Sequence, residues 1–329
     1  MRKLSNRVIS CLLCLVCMLA LFPVQAFAAG AINPNKDVTL TIEYKHNKVP
    51  VSNVPFDLYY VASVDAYAEF TLTGDFQNYP VTVNGLTTDA WKALAETLAV
   101  YADRDQLKPL DSGETDAHGV LAFPNRQSSL KPGLYLVVGR KLVQDGYTYI
   151  TEPFLVSLPN LDQESDTWTY DVTAAPKHTR AENPPEPSDE TVERRVLKVW
   201  KDDIQQSRPK EVIIQLFKDG SVYDTVTLNA GNNWRHVWDN LPKYNMDGSE
   251  IVWSAAEKEL ANYTVSVTQE GITFVVTNTG GYPGQPTPKV PGSKLPQTGV
   301  LWWPVPILAV AGLAFLITGT LSRKKKGHE

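Results

Sequence analysis

Residues of the types that usually carry chemistry are few in this 329-residue chain, and their positions narrow what they could do. A thiol would offer nucleophilic or redox chemistry, but all three cysteines, Cys11, Cys14 and Cys17, lie in an apolar segment near the N-terminus. The five histidines are scattered, no histidine and carboxylate cluster has metal-ligand spacing, and no Gly-rich phosphate loop is present. These residues build no turnover site, so no enzyme is expected, and neither a metal nor a cofactor. The net charge of −5 comes with no basic stripe, which excludes nucleic acid as a partner.

The two ends of the chain carry a different kind of information. Arg2, Lys3 and Arg7 precede an apolar run from Val8 to Phe22, and Ala26-Phe27-Ala28 has the small-x-small pattern of a signal peptidase site. Cleavage between Ala28 and Ala29 is expected. Val16 stands before Cys17 where a lipoprotein signal wants a small residue, so the exported chain keeps no thiol and must find its toughness without disulfides. At the other end Leu295-Pro296-Gln297-Thr298-Gly299 precedes an apolar run from Val300 to Leu321 and then Ser322-Arg323-Lys324-Lys325-Lys326. A run of about twenty apolar residues is long enough to cross a bilayer, and the basic cluster favours a cytoplasmic C-terminus. An ordinary membrane anchor has this layout too. The pentapeptide in this order with span and tail resembles the LPXTG cell-wall sorting signal of Gram-positive surface proteins. That resemblance implies cleavage between Thr298 and Gly299 by a sortase, whose cysteine holds the Thr298 carbonyl as a thioester until an amine attacks it.

Proline and glycine gather at Asn183-Pro184-Pro185-Glu186-Pro187 and from Gly280 to Gly292, compositions that favour extended spacers. The expected organisation is a signal peptide (1–28), a first domain (29–177), a Pro-rich linker (178–192), a second domain (193–279), a Pro/Gly-rich wall-spanning stalk (280–294), and the sorting signal with its transmembrane helix and basic tail (295–329).

In the first domain Val38, Leu40 and Ile42 alternate with Thr39, Thr41 and Glu43, as in a strand with one buried face. Further strands are expected at 53–60, 70–72, 119–123, 134–138, 147–156 and 168–174. Thr88 can cap a helix whose apolar positions Trp91, Leu94, Leu98 and Tyr101 recur at helical spacing, so a short amphipathic helix should pack on the sheet. The stretch from Trp168 through Val172 to Pro176 and Lys177 is similar to the pilin motif of sortase-assembled Gram-positive pili. The similarity implies that the Lys177 amine receives the C-terminal threonine of another subunit. Ala175 departs from the aromatic residue usual before the proline, and a plain surface lysine is the alternative. His178 is expected to be a solvated linker histidine.

The second domain reads as short strands, including Val212 to Phe217 and Thr225 to Leu228, separated by turn signals at Asp219-Gly220, Asn229 to Gly231 and Asp247-Gly248. Even spacing with no long helix indicates a β-sandwich. Nearly the whole segment resembles the collagen-adhesin B-type (CnaB) domain, and many members of that family carry a self-formed isopeptide bond. Carried over by motif, its positions are Lys198 in the first strand, Glu257 closing the aromatic-x-x-x-Glu block, and Asn278 in the last strand. The resemblance implies a Lys198–Asn278 crosslink formed with Glu257 as proton donor; an ordinary buried salt bridge, or separate surface residues, would also use these types. The first domain resembles the same superfamily more loosely, but Gly139 stands where the glutamate would be. Lys45 and Asn183 make only a weak alternative pair, so no crosslink is expected there.

The fold class expected is therefore mainly all-β, two tandem immunoglobulin-like CnaB-type sandwiches, the first with an inserted helix. The function implied is that of a structural pilus subunit, basal and anchored to peptidoglycan, with backbone pilin or stand-alone wall adhesin as alternatives. Its partners would be sortases, other pilin subunits, peptidoglycan and a host surface ligand, and its place the Gram-positive cell surface. Trp234 and Trp238 could grip a ligand, but burial between strands is the expectation for both.

Overall fold

The computed structural model describes residues 30–162, 165–184, 188–201, 205–258 and 263–280. The signal peptidase site at Ala28 and Ala29, the stalk beyond Gly280, the Leu295 to Gly299 pentapeptide and the expected transmembrane helix lie outside these residues. Among the described residues no helix is long and apolar enough to cross a membrane. The fold is mostly β, with one α-helix among the described residues.

In the first half, the alternating stretch forms the strand Thr39–Glu43, with Leu40 and Ile42 fully buried. It pairs in parallel with Asp171–Ala174 and antiparallel with Val120–Phe123. Facing this small sheet is a larger one in the order Phe154–Leu158, Gly133–Gly139, Pro55–Val64, Phe70–Leu72, with Asp111–Glu114 also paired to Pro55–Val64. Leu40, Ile42, Tyr44, Phe56, Leu58, Phe123 and Val137 close the space between them. The helix covers the far side, where Tyr59, Val61, Leu134 and Leu136 meet Leu94, Ala95 and Leu98. Gly133–Gly139 is thus buried along nearly its whole length, because a strand covered on both faces has no use for alternation.

Several elements differ from expectation. The stretch 168–174 is two strands, Thr167–Thr169 paired with Asn160–Asp162 and Asp171–Ala174 paired with Thr39–Glu43. The stretch 147–156 is two strands, Tyr147–Thr151 and Phe154–Leu158, in different sheets. Pro153 sits at the break, where a residue without an N–H cannot continue a ladder. The helix runs Thr88–Arg104, and its cap is Thr87 in place of Thr88: the Thr87 hydroxyl accepts from the Ala90 N–H at 3.3 Å. Within the stretch expected to link the domains, His178–Glu182 is a strand paired antiparallel to Tyr147–Thr151.

The second half is a sandwich of two sheets, one in the order Arg235–Pro242, Thr191–Lys201, Thr273–Thr279, Thr264–Glu270 and the other Ser221–Asn229, Glu211–Lys218, Trp253–Glu257. Its core holds Val196, Ile214, Leu216, Phe217, Trp238, Trp253, Ala255, Phe274 and Val276. Trp238 is buried, and Trp234 packs edge-on against Trp200 at 5.1 Å, so both serve packing as expected. The core also takes in two residues from the first half, Val100 and Tyr101 at the end of the helix. Tyr101 was grouped with Leu94 and Leu98 on one apolar stripe, yet the two leucines face the first-half sheet while Tyr101 reaches the second sandwich.

Candidate functional site

Lys198 lies on Thr191–Lys201, the central strand that pairs in parallel with the last strand, Thr273–Thr279. The register sets Lys198 opposite Val276 and Trp200 opposite Asn278. Successive side chains alternate between faces, so Lys198 and Asn278 both point into the core, as Val196 and Val276 do. Glu257 is the last residue of Trp253–Glu257 in the opposite sheet and projects into the same interior. Three residues from both sheets thus meet where apolar packing would otherwise be continuous.

Lys198 is 3% exposed, Glu257 2% and Asn278 fully buried. The Lys198 Nζ stands 3.2 Å from the Glu257 Oε2 and donates to the Val276 carbonyl at 3.3 Å. Burial disfavours both charges: it pushes the Lys198 amine down to about 8 against the pull of Glu257, and it raises the Glu257 carboxyl although Lys198, the Asn278 amide and Arg104 favour the anion. One proton passed from amine to acid removes both charges. Neither polar atom of the Asn278 amide has a hydrogen-bond partner within bonding geometry. An unpaired buried amide costs about 1 to 3 kcal/mol, so this is an expensive place for an asparagine with only a packing role.

No such constellation occurs among the described residues of the first half. Among the described residues Lys198 is the one buried lysine. Lys45 is exposed and paired with Glu43 at 2.7 Å, and Asn183 accepts from the Thr148 hydroxyl at 2.6 Å. A Cβ on Gly139 would fall 2.6 Å from the Thr151 Cβ, so even alanine is excluded where a glutamate would be needed.

The residues of the Trp168 to Lys177 stretch are arranged quite differently. Val172 is buried beside Thr39–Glu43, and the Trp168 indole N–H donates to the Gly30 carbonyl at 2.5 Å. Half-buried Pro176 is followed by exposed Lys177, whose backbone carbonyl accepts from the Glu152 N–H at 2.9 Å. Backbone and proline hold the position while the amine stands in solvent.

His178 is not the solvated histidine expected of a linker. Its ring stacks on Tyr44 at 4.4 Å, and its Nε2 lies 3.1 Å from the His46 Nδ1. Burial lowers its pKa below the ordinary 6.5, the Pro176 carbonyl opposes the shift and His46 adds to it. The unfolded chain therefore binds more protons just below pH 6.5, so the stability contributed by the neutral ring is present above that value and lost as pH falls through the folded-state value. Melting temperature should drop between about pH 8 and about pH 5, and His178→Phe should flatten the drop. An equal drop in the variant would assign the dependence to other groups.

The match to known sequences falls on the half of the chain that holds the buried triad. Residues 194–279 match the Cna protein B-type domain family. A collagen adhesin of Staphylococcus aureus is 32% identical over 78 residues, 23% of this chain and 6% of the adhesin, so the chain spans a small fraction of that relative. Among solved structures, the major pilin SpaD of Corynebacterium diphtheriae is similar with a TM-score of 0.29 at 19% identity, over 75% of this chain and 65% of that one. The basal pilin SpaE of Lactobacillus rhamnosus GG gives 0.29 at 12% identity, over 71% and 83%. Lys198, Glu257 and Asn278 all lie within the Cna B-type segment. The sequence placed Tyr101 only on a packing stripe and gave no signal for Arg104 or His46, all of which gather around these sites from other parts of the chain.

Proposed function

We propose that this chain is a structural subunit of a covalently assembled surface pilus, crosslinked internally by a Lys198–Asn278 amide. The observation that carries the reading is the contrast between two lysines: Lys198 is sealed in a core against a carboxyl and an amide, and Lys177 stands exposed behind a proline. The first suits a reaction within the chain and the second a reaction with another molecule.

For the internal bond, proton transfer from Lys198 to Glu257 yields a neutral amine and a neutral acid. The Lys198 Nζ attacks the Asn278 Cγ, and Glu257 moves a proton from Nζ to Nδ2. The Cγ–Nδ2 bond breaks, ammonia leaves, and Glu257 is regenerated. The event occurs once per chain and is maturation. Between chains, the Lys177 amine would attack a sortase-bound threonine of another subunit, and Thr298 would pass by the same exchange to peptidoglycan. That arrangement describes a basal subunit.

The test is mass spectrometry of muramidase-released wall material, reading what is attached to Lys177 and to Thr298. A different subunit on Lys177 with a peptidoglycan fragment on Thr298 is the expected result. Lys177 joined to Thr298 of its own kind makes the chain a backbone pilin. Lys177 always bare overturns the pilus reading and leaves a wall-anchored adhesin.

A further inference from the structure

The helix Thr88–Arg104 belongs by sequence to the first half, and its last turns are built into the second. Its Thr97 hydroxyl accepts from the Val267 N–H at 2.8 Å and donates to the Ala93 carbonyl at 2.6 Å. The Pro80 carbonyl accepts from the Val265 N–H at 2.9 Å. Val265 and Val267 lie on Thr264–Glu270, the edge strand of the sheet that carries Lys198 and Asn278. The first half thus occupies backbone donors that an open edge would leave to water or to another chain.

One turn further on, Tyr101 is fully buried in the second core and its hydroxyl has no hydrogen-bond partner. Burial first, and then the charge of Glu257, push its pKa far above the ordinary tyrosine range, so it stays a neutral donor. The Arg104 guanidinium stacks over the Tyr101 ring at 4.3 Å and donates from Nη1 to the Glu257 backbone carbonyl at 2.8 Å. Asp105 holds it at 2.7 Å and in turn accepts from the Tyr79 hydroxyl at 2.5 Å. A chain of contacts therefore runs from the first half through Tyr79, Asp105 and Arg104 to the backbone of the residue whose carboxyl faces Lys198. The Glu257 Oε2, like the Tyr101 hydroxyl, lacks a hydrogen-bond partner within bonding geometry.

We propose that the end of this helix is a wall of the crosslinking chamber, with Arg104 and Tyr101 as positioning residues for Glu257, so that the second domain completes its amide only once the first has docked. This rests on the crosslink itself. The physical reason is desolvation: the reaction needs a neutral amine and a neutral acid, which only a water-free chamber favours, and the helix end closes that side. The arrangement orders maturation along the chain, since the crosslink then locks a second domain already seated on the first.

The test is the time course of crosslinking in newly synthesised full-length chain, followed by intact mass as ammonia is lost. The parent should lose about 17 Da per molecule, one ammonia. Arg104→Gln, which removes the charged donor to the Glu257 backbone carbonyl, should slow the loss about tenfold, the size of one hydrogen bond to a charged group. Tyr101→Leu, which opens the chamber wall where the ring is buried, should slow it as well. Arg104→Lys should recover part of the rate. Thr97→Val, nearly isosteric and outside the chamber, should slow it as well by loosening the dock. Leu94→Ala, which weakens packing of the helix on its own sheet, should lower the melting temperature and leave the rate near that of the parent. A parent that crosslinks and variants that keep its rate overturn the chamber wall while leaving the crosslink standing. A parent that never loses ammonia overturns both.

Discussion

Glu257→Gln leaves the chain at its full sequence mass and lowers its melting temperature steeply. Glutamine has the shape of the acid and cannot move a proton, so the Lys198 amine and the Asn278 amide stay apart in a core that is otherwise packed as before. The parent should sit about 17 Da below its own sequence mass, the mass of the expelled ammonia. The size of the stability loss follows from the loop that the bond closes. Treated as any covalent crosslink, a link from residue 198 to residue 278 closes a loop of about 80 residues and removes about 4 to 5 kcal/mol of chain entropy from the unfolded state. For a domain of this length that corresponds to a fall of about 20 to 30 °C. Lys198 and Asn278 lie on adjacent parallel strands, the first and last of the sandwich, so the bond would also carry tension between the two ends of the domain without peeling the sheet. A parent at its full sequence mass, with the variant's melting temperature, would leave an ordinary buried ion pair in place of the crosslink.

On the proposed reading, Lys177→Arg should abolish covalent joining of other subunits and leave stability unchanged to within about 0.5 kcal/mol. Arginine keeps the positive charge and reach of lysine, but its guanidinium stays protonated and offers no free amine to a thioester. Lys177 is exposed and only its backbone is tied down, by the bond from Glu152, so the substitution leaves the sheet as it was. In cells expressing the variant, the ladder of high-mass species released from the wall should collapse to the single subunit. A ladder that persists would place the accepting amine elsewhere. Together the two substitutions separate the roles of the two lysines: one changes mass and stability without touching assembly, and the other does the reverse.

Much of this was legible in the chain because alternation is a local property. Val38 to Glu43 and Val212 to Phe217 each declared a buried face, and Lys198 and Asn278 stood at positions matching a family motif. Gly139 likewise showed in advance that the first half lacks a glutamate at the corresponding place, and the fold adds that no side chain fits there. Periodicity reports which face of an element is apolar and is silent about what covers it. Trp91, Leu94, Leu98 and Tyr101 read as one stripe, yet Leu98 faces the first sheet and Tyr101 the second core, because the helix outlasts the sheet beneath it and a neighbouring sandwich receives its final turns. The His46–His178 pair joins residues 132 positions apart, and the Thr97–Val267 clamp joins residues 170 apart. Spacing along the chain holds no trace of such meetings. Local pattern and family motif declared the sandwich, the triad and a lysine behind a proline. That Val100 and Tyr101 at the end of the helix join the core holding the triad is set by the tertiary fold, since burial is a property of the surfaces that meet.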